Sequence, residues 1–187
     1  MEQSLLERII RLDENDELNI IRILILIDKM AGRNQKQTID GINKLVKLDF
    51  LLRYPVALER ALLKLNKDKD IHNIDIKVYE RESVETNLMH FNYGPWDSRY
   101  RRFLTILEAK GLITYIISGK TVNVAITQAG HKTVDSISSF FEFQDYVTRS
   151  GLIKRHFGSY SSKKLINFFY EVFPEMVTMK QGDEIKI

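Results

Sequence analysis

Leu112-Ile113-Thr114-Tyr115-Ile116-Ile117-Ser118-Gly119-Lys120-Thr121-Val122-Asn123-Val124-Ala125-Ile126-Thr127 is the stretch on which the fold turns. β-Branched and aromatic residues crowd Leu112 to Ile117, the composition of a strand. Ser118-Gly119-Lys120 predicts a tight turn, because glycine reaches the positive φ that short hairpin loops demand. Val122, Val124 and Ile126 then alternate with other residues, so a return strand with one buried face follows. Thr127 offers a side-chain oxygen where helical periodicity resumes. It predicts a capped helix with Ala129, Val134 and Ile137 on its buried side. On the other flank, Gly111 stops a preceding helix.

That preceding helix opens in Tyr93-Gly94-Pro95-Trp96-Asp97-Ser98-Arg99-Tyr100-Arg101-Arg102-Phe103-Leu104, which holds the only tryptophan and one of three prolines. Pro95 cannot donate to a sheet ladder, so a strand before it should end there. Asp97 can cap a helix running to Lys110, with Tyr100, Phe103, Leu104 and Leu107 on one face. Arg99 and Arg101 flank that stripe, while Arg102 points away. Further upstream, Leu18 to Met30 is apolar nearly all round and must lie centrally if helical, although its β-branched content leaves a strand open. Thr38 can cap a second helix bearing Ile39, Ile42, Leu45 and Val46. Pro55 opens a third, with Val56, Leu58, Ala61, Leu62 and Leu65. Ile74, Ile76 and Val78 alternate with polar residues as a strand would, and Val84 to Tyr93 can pair back.

Three helices and a hairpin follow the order of a winged helix, and the pattern recurs after Tyr93. The expected fold is mainly α with small β-hairpins (α+β). It comprises tandem winged-helix-like units at 1–92 and 93–139, and a helical C-terminal segment, 140–187, packed on the rest. That segment carries Phe140, Phe141, Phe143 and Tyr146, then Leu165, Ile166, Phe168, Phe169, Tyr170 and Val172. The density of Phe140, Phe141 and Phe143 suggests that some of this aromatic surface lies under a partner.

The 187 residues can bury a sizeable core. Twenty-eight Lys and Arg against 25 Asp and Glu leave a formal charge of +3, so contact with DNA has to be argued locally. Cysteine is absent, which excludes disulfides, thiolate nucleophiles and cysteine-held metal centres in this chain. Met1-Glu2-Gln3-Ser4-Leu5-Leu6-Glu7-Arg8 is unlike a signal peptide. The apolar run from Ile20 to Ile27 is interrupted by Arg22 and is too short to cross a bilayer. A cytoplasmic protein with no membrane contact is expected.

Catalytic equipment is not evident in the sequence. His72, His90, His131 and His156 are scattered without metal-ligand spacing on a helix. Gly119-Lys120-Thr121 has the letters that end a phosphate loop, yet it lies between two strands, where no helix N-terminus can hold phosphate. Asp13, Glu14, Asp16 and Glu17 complement the dipole of the central helix, and Asp68 and Asp70 sit in a charged loop. No catalytic residue, metal or cofactor is expected, and the chain reads as a non-enzyme.

Three basic groups remain. Arg99, Arg101 and Arg102 stand beside aromatic residues, so Tyr93, Trp96, Arg99, Tyr100, Arg101 and Arg102 form the expected partner-binding surface. Lys120 at the hairpin turn, with Lys154, Arg155, Lys163 and Lys164, forms the expected nucleic-acid-binding set. A plainer alternative has Trp96 stapling the helix start, the arginines pairing with acids such as Glu108, and the lysines simply solvated.

The block Asp49-Phe50-Leu51-Leu52-Arg53-Tyr54-Pro55 through Leu58-Glu59-Arg60-Ala61, followed by Tyr93-Gly94-Pro95-Trp96-Asp97-x-Arg99-Tyr100-Arg101-Arg102, resembles the middle component of bacterial three-component ABC systems. That family includes the middle subunit of Lamassu-type defence operons. The resemblance spans about Leu18 to the Thr127 helix. It implies a non-enzymatic adaptor in an anti-phage or anti-plasmid complex. The implied partners are an SMC/Rad50-like ABC ATPase and a nuclease or other effector subunit, with double-stranded DNA reached through the complex. The rival expectation is a free-standing winged-helix DNA-binding transcriptional regulator. The small net charge and the acidic or neutral Asp40, Asn43 and Asp49 weigh against it.

Overall fold

The computed structural model describes residues 15–82 and 99–174. The first helix, α1 (Asp16–Ala31), starts where Asn15 caps it, its side-chain oxygen accepting the Glu17 and Leu18 N–H groups at 2.9 and 3.3 Å. A two-residue strand β1 (Ile39–Asp40) leads through Gly41, at φ 88°, into α2 (Ile42–Arg53). Next come α3 (Pro55–Lys64), a short α4 (Asp68–Ile71), a 3-10 turn (His72–Ile74) and α5 (Val78–Glu82). Helix α6 (Arg99–Ala109) precedes the hairpin β2 (Ile113–Ser118) and β3 (Thr121–Ile126). Helices α7 (Gln128–Ile137), α8 (Gln144–Phe157) and α9 (Ser162–Val172) follow, with a 3-10 turn at Phe141–Phe143. The architecture is mainly helical with one small antiparallel sheet of order β1-β3-β2.

Helix α1 is central because it has almost no polar face. Ile23, Ile25 and Leu26 are wholly buried, and the helix packs against α2, α6, α7, α8 and β3. A continuous buried cluster runs from Ile23 through Leu48, Leu58, Phe103, Val124 and Val134 to Phe157, Phe169 and Phe173. The three expected segments thus contribute to a common core. Arginine and aspartate enter that core as partners, as described below.

Local signals around the hairpin act as their chemistry dictates. Gly111 sits at φ 69°, its N–H donating to the Glu108 carbonyl at 2.7 Å while Leu112 N–H reaches the Leu107 carbonyl at 2.9 Å. These two bonds close the α6 C-terminus in a Schellman motif. Gly119 takes φ 59° in the two-residue loop, and the strands pair from Ser118↔Thr121 to Ile113↔Ile126. Thr127 Oγ1 accepts the Gly130 N–H at 3.0 Å and donates to the Gly111 carbonyl at 2.7 Å, capping α7 while tying it to the end of α6. Gly130 is obligatory there, since a Cβ would lie 2.1 Å from the Leu112 carbonyl oxygen. Ala129, expected inside, is exposed, and Gly130 takes its place against the hairpin base.

The structure corrects two other expectations. Thr38 caps no helix: Ile39 pairs with Val124 in β1, and the helix begins three residues later. Sheet pairing outcompetes the side-chain cap. The expected strand over Ile74, Ile76 and Val78 is instead a 3-10 turn followed by α5, with Val78 72% exposed. The cause is Arg149 on α8, whose guanidinium donates to the Ile74 carbonyl at 2.9 Å, the Asp75 carbonyl at 3.0 Å and the Glu80 carboxylate at 2.7 and 2.8 Å. That buried clasp bends the segment away from any ladder, with Asp75 at φ 49°. A first hairpin built on 74–78 is therefore absent, and its expected return strand, Val84 to Tyr93, lies outside the described residues.

Candidate partner-binding surface

Helix α6 holds the Arg-aromatic group, and its buried face fixes its orientation. Phe103, Leu104 and Leu107 are at most 1% exposed. Tyr100, expected at the surface, is also buried and belongs to the core, which corrects its assignment as a docking residue. The reason is polar as well as apolar. Arg22 of α1 donates to both Asp49 oxygens of α2 at 2.9 Å, and the Tyr100 hydroxyl donates to Asp49 Oδ2. The Asp49 side chain is wholly buried and that of Arg22 nearly so. Burial opposes the charge on Arg22, but Asp49 more than offsets it and holds the guanidinium above its ordinary pKa. Burial, then the Asp49 charge, pushes the Tyr100 hydroxyl well above its ordinary value. The triad pins α1, α2 and α6 together with charge-assisted bonds. Two of its members, Asp49 and Tyr100, are letters of the family-like strings, whose role here is architectural.

The arginines occupy the rest of α6. Arg101 is exposed. Arg102 is 56% exposed at its side chain, pairs with Asp16 at the start of α1, and has its guanidinium 5.7 Å from the Phe103 ring centroid. Arg99 is half-buried, 5.9 Å from the same ring. The pairing with acids therefore reaches Asp16, while Glu108 influences Tyr115, whose hydroxyl partial burial and then that carboxylate push up. Tyr93 and Trp96 lie outside the described residues.

The basic set is divided between solvent and contacts within the chain. Lys120 is exposed at the hairpin tip. Lys154 Nζ donates to the Met30 carbonyl at 2.6 Å and to Gln37, which satisfies the C-terminus of α1 and turns the lysine inward. Partial burial and then Lys44 lower its pKa. Arg155 bonds Asp70 at 3.0 Å, with His156 Nε2 2.7 Å from the other oxygen of the same carboxylate. Lys163 and Lys164 are exposed at the start of α9, and Lys164 Nζ sits 4.0 Å from the Tyr160 ring centroid. Two of the five expected nucleic-acid contacts are thus spent within the chain.

Several features went unread in the sequence. Lys44 and Lys47 are buried on α2, and burial lowers both pKa values. Lys44 Nζ donates to the Gly158 carbonyl at 3.3 Å, at the C-terminal end of α8. Ile116, Ile117 and Val122 project from the hairpin at 48%, 76% and 41% exposure. Phe140 and Phe141, singled out in the sequence for their aromatic density, are 57% and 87% exposed between α7 and α8, while Phe143 is half-buried. Among the described residues no group of three or more His, Asp or Glu converges as a metal site, and no helix is long and apolar enough to cross a membrane. Comparison with protein families, with curated proteins and with solved structures finds no match.

Proposed function

We propose that the chain is a non-enzymatic adaptor subunit of a bacterial anti-phage or anti-plasmid complex, bridging an SMC/Rad50-like ABC ATPase and a nuclease-type effector. The observation that carries this reading is the display of Phe140 and Phe141, two adjacent phenyl rings left exposed where every other described phenylalanine is buried or half-buried. Exposed aromatic pairs of this kind are the anchors of protein interfaces. The outward guanidiniums of Arg101 and Arg102, on a helix locked by the buried triad, add a second docking element. The choice of companions rests on the family resemblance.

The topology supports the same reading. Order α1-β1-α2-α6-β2-β3 with sheet order β1-β3-β2 supports reading these elements as one winged-helix-like unit, with α3 to α5 inserted after its second helix. A winged unit of this kind is a common scaffold for docking, and a second such unit lacks support because residues 74–78 form no strand. The rival, a free-standing regulator, loses support because Lys154 and Arg155 are engaged internally.

The test is co-purification from the native operon of this chain with defined neighbours, an ATPase and an effector. Both are expected to co-elute. Phe140→Ser with Phe141→Ser, and separately Arg101→Glu with Arg102→Glu, should each release at least one of them while leaving the fold intact. Recovery of neither companion with the unmodified chain overturns the proposal, and tight operator binding by the isolated chain would put the regulator in its place.

A further inference from the structure

Among the described residues, strand β2 has an edge that the rest of the fold does not use. The two-residue loop makes Ser118↔Thr121 a narrow, doubly bonded pair, and the same then holds for Ile116↔Asn123 and Thr114↔Ala125. The backbone N–H and C=O groups of Ile113, Tyr115 and Ile117 consequently aim away from β3. The same alternation aims Val124 at β1, where its observed partner is Ile39. Among the described residues no strand pairs with the outer edge of β2.

Edges of this kind are ordinarily protected by a lysine, a proline or a bulge. Residues Ile113 to Ser118 include no charged residue and no proline, and their register with β3 is unbroken. Side chains on both faces continue the invitation. Ile117 and its cross-strand partner Val122 extend past the core on one face, and Ile116 lies on the other. An incoming strand would gain backbone bonds at three residues and apolar neighbours above and below.

Charge selects the occupant. Exposed Lys110 precedes β2 and exposed Lys120 follows it. A second copy laid antiparallel about Tyr115 would set each Lys120 opposite the other copy's Lys110, like charge against like. A strand from a different protein with acids at both ends would meet both lysines favourably. We infer that the outer edge of β2 receives an extended segment of a partner protein as a fourth strand, an uncharged β-branched run of about five residues flanked by acidic residues. This goes beyond the adaptor reading, and it holds whatever the companions of the chain prove to be.

The probe is a synthetic peptide of alternating valine and threonine with two glutamates at each end, added to the full chain under amide hydrogen exchange monitored by NMR. In the chain alone, the pairing pattern predicts fast exchange for the Tyr115 and Ile117 amides and slow exchange for the Ile116 and Ser118 amides. The peptide is expected to slow Tyr115 and Ile117 at least tenfold without changing Ile116, and a lysine-ended peptide to bind at least tenfold more weakly. Ile117→Pro removes an outward donor without touching the β2–β3 bonds. Ile117→Lys leaves the backbone intact and places a charge on an exposed position. Ile117→Pro should abolish the protection of Tyr115, whereas Ile117→Lys should keep that protection with the acid-ended peptide and weaken binding of the lysine-ended one further. No binding of the acid-ended peptide, protection without the odd–even alternation, or equal binding of the lysine-ended peptide overturns the inference. Slow Tyr115 and Ile117 amides in a chain that sediments as a dimer would also overturn it, in favour of self-pairing.

Discussion

Removing Asp49 should be among the most damaging single changes in this chain. Its carboxylate accepts two bonds from Arg22 and one from the Tyr100 hydroxyl, and its side chain is inaccessible to water. In Asp49→Ala, the Arg22 guanidinium keeps its charge at a site only 6% exposed, with no carboxylate to meet it. A buried charge left without its partner costs about 3–5 kcal/mol. Against a typical total stability of about 5–15 kcal/mol, that is a large fraction. With a urea slope of about 2 kcal/mol/M, the unfolding midpoint should fall by roughly 2 M. Tyr100→Phe removes one bond to a charged acceptor and should cost about 1.5–3 kcal/mol. The triple replacement Arg22→Met, Asp49→Leu and Tyr100→Phe removes every buried polar member together, and should return to within about 1–2 kcal/mol of the parent chain. The folded chain also holds the Tyr100 proton above the ordinary pKa of 10.0, where the unfolded chain releases it. Stability should therefore fall as pH rises past 10, and Tyr100→Phe should remove that part of the slope. Urea titration by circular dichroism reads all four chains. An Asp49→Ala cost below about 1 kcal/mol, or a triple variant as unstable as the sum of the singles, would refute the reasoning.

Lys47→Met should stabilise the chain at pH 7 by about 1–2 kcal/mol, because burial disfavours the ammonium and no hydrogen bond or ion pair engages Lys47 among the described residues. Since the folded pKa of Lys47 lies below the ordinary 10.5, the unfolded chain binds more protons just below that pH, so this lysine makes stability rise as pH approaches 10.5. The variant should flatten that component in urea melts from pH 7 to 10. Gly130→Ala puts a methyl group 2.1 Å from the Leu112 carbonyl oxygen and should cost about 2–3 kcal/mol, read as a fall of roughly 5–10 °C in Tm.

Local chemistry made half of this molecule legible from its letters. Pro55, Gly111, Gly119 and Thr127 each work through their own backbone or side chain within a few residues, so the α3 start, the α6 stop, the hairpin turn and the α7 cap follow from sequence. Helical periodicity likewise placed Phe103, Leu104 and Leu107 inside. Contacts between distant residues decided the rest. Ile39 is a strand because Val124 lies opposite it, and residues 72–82 turn and coil because Arg149 takes their carbonyls from more than sixty positions away. Lys154 has the chemistry of a surface residue, yet the Met30 carbonyl draws it inward. The remote Asp49 carboxylate turns Tyr100, on the apolar face by periodicity, into a buried polar partner instead of a docking residue. Periodicity and caps report interactions that a segment makes with itself, and a buried ion or an added strand depends on which remote groups the folded chain brings within three ångströms.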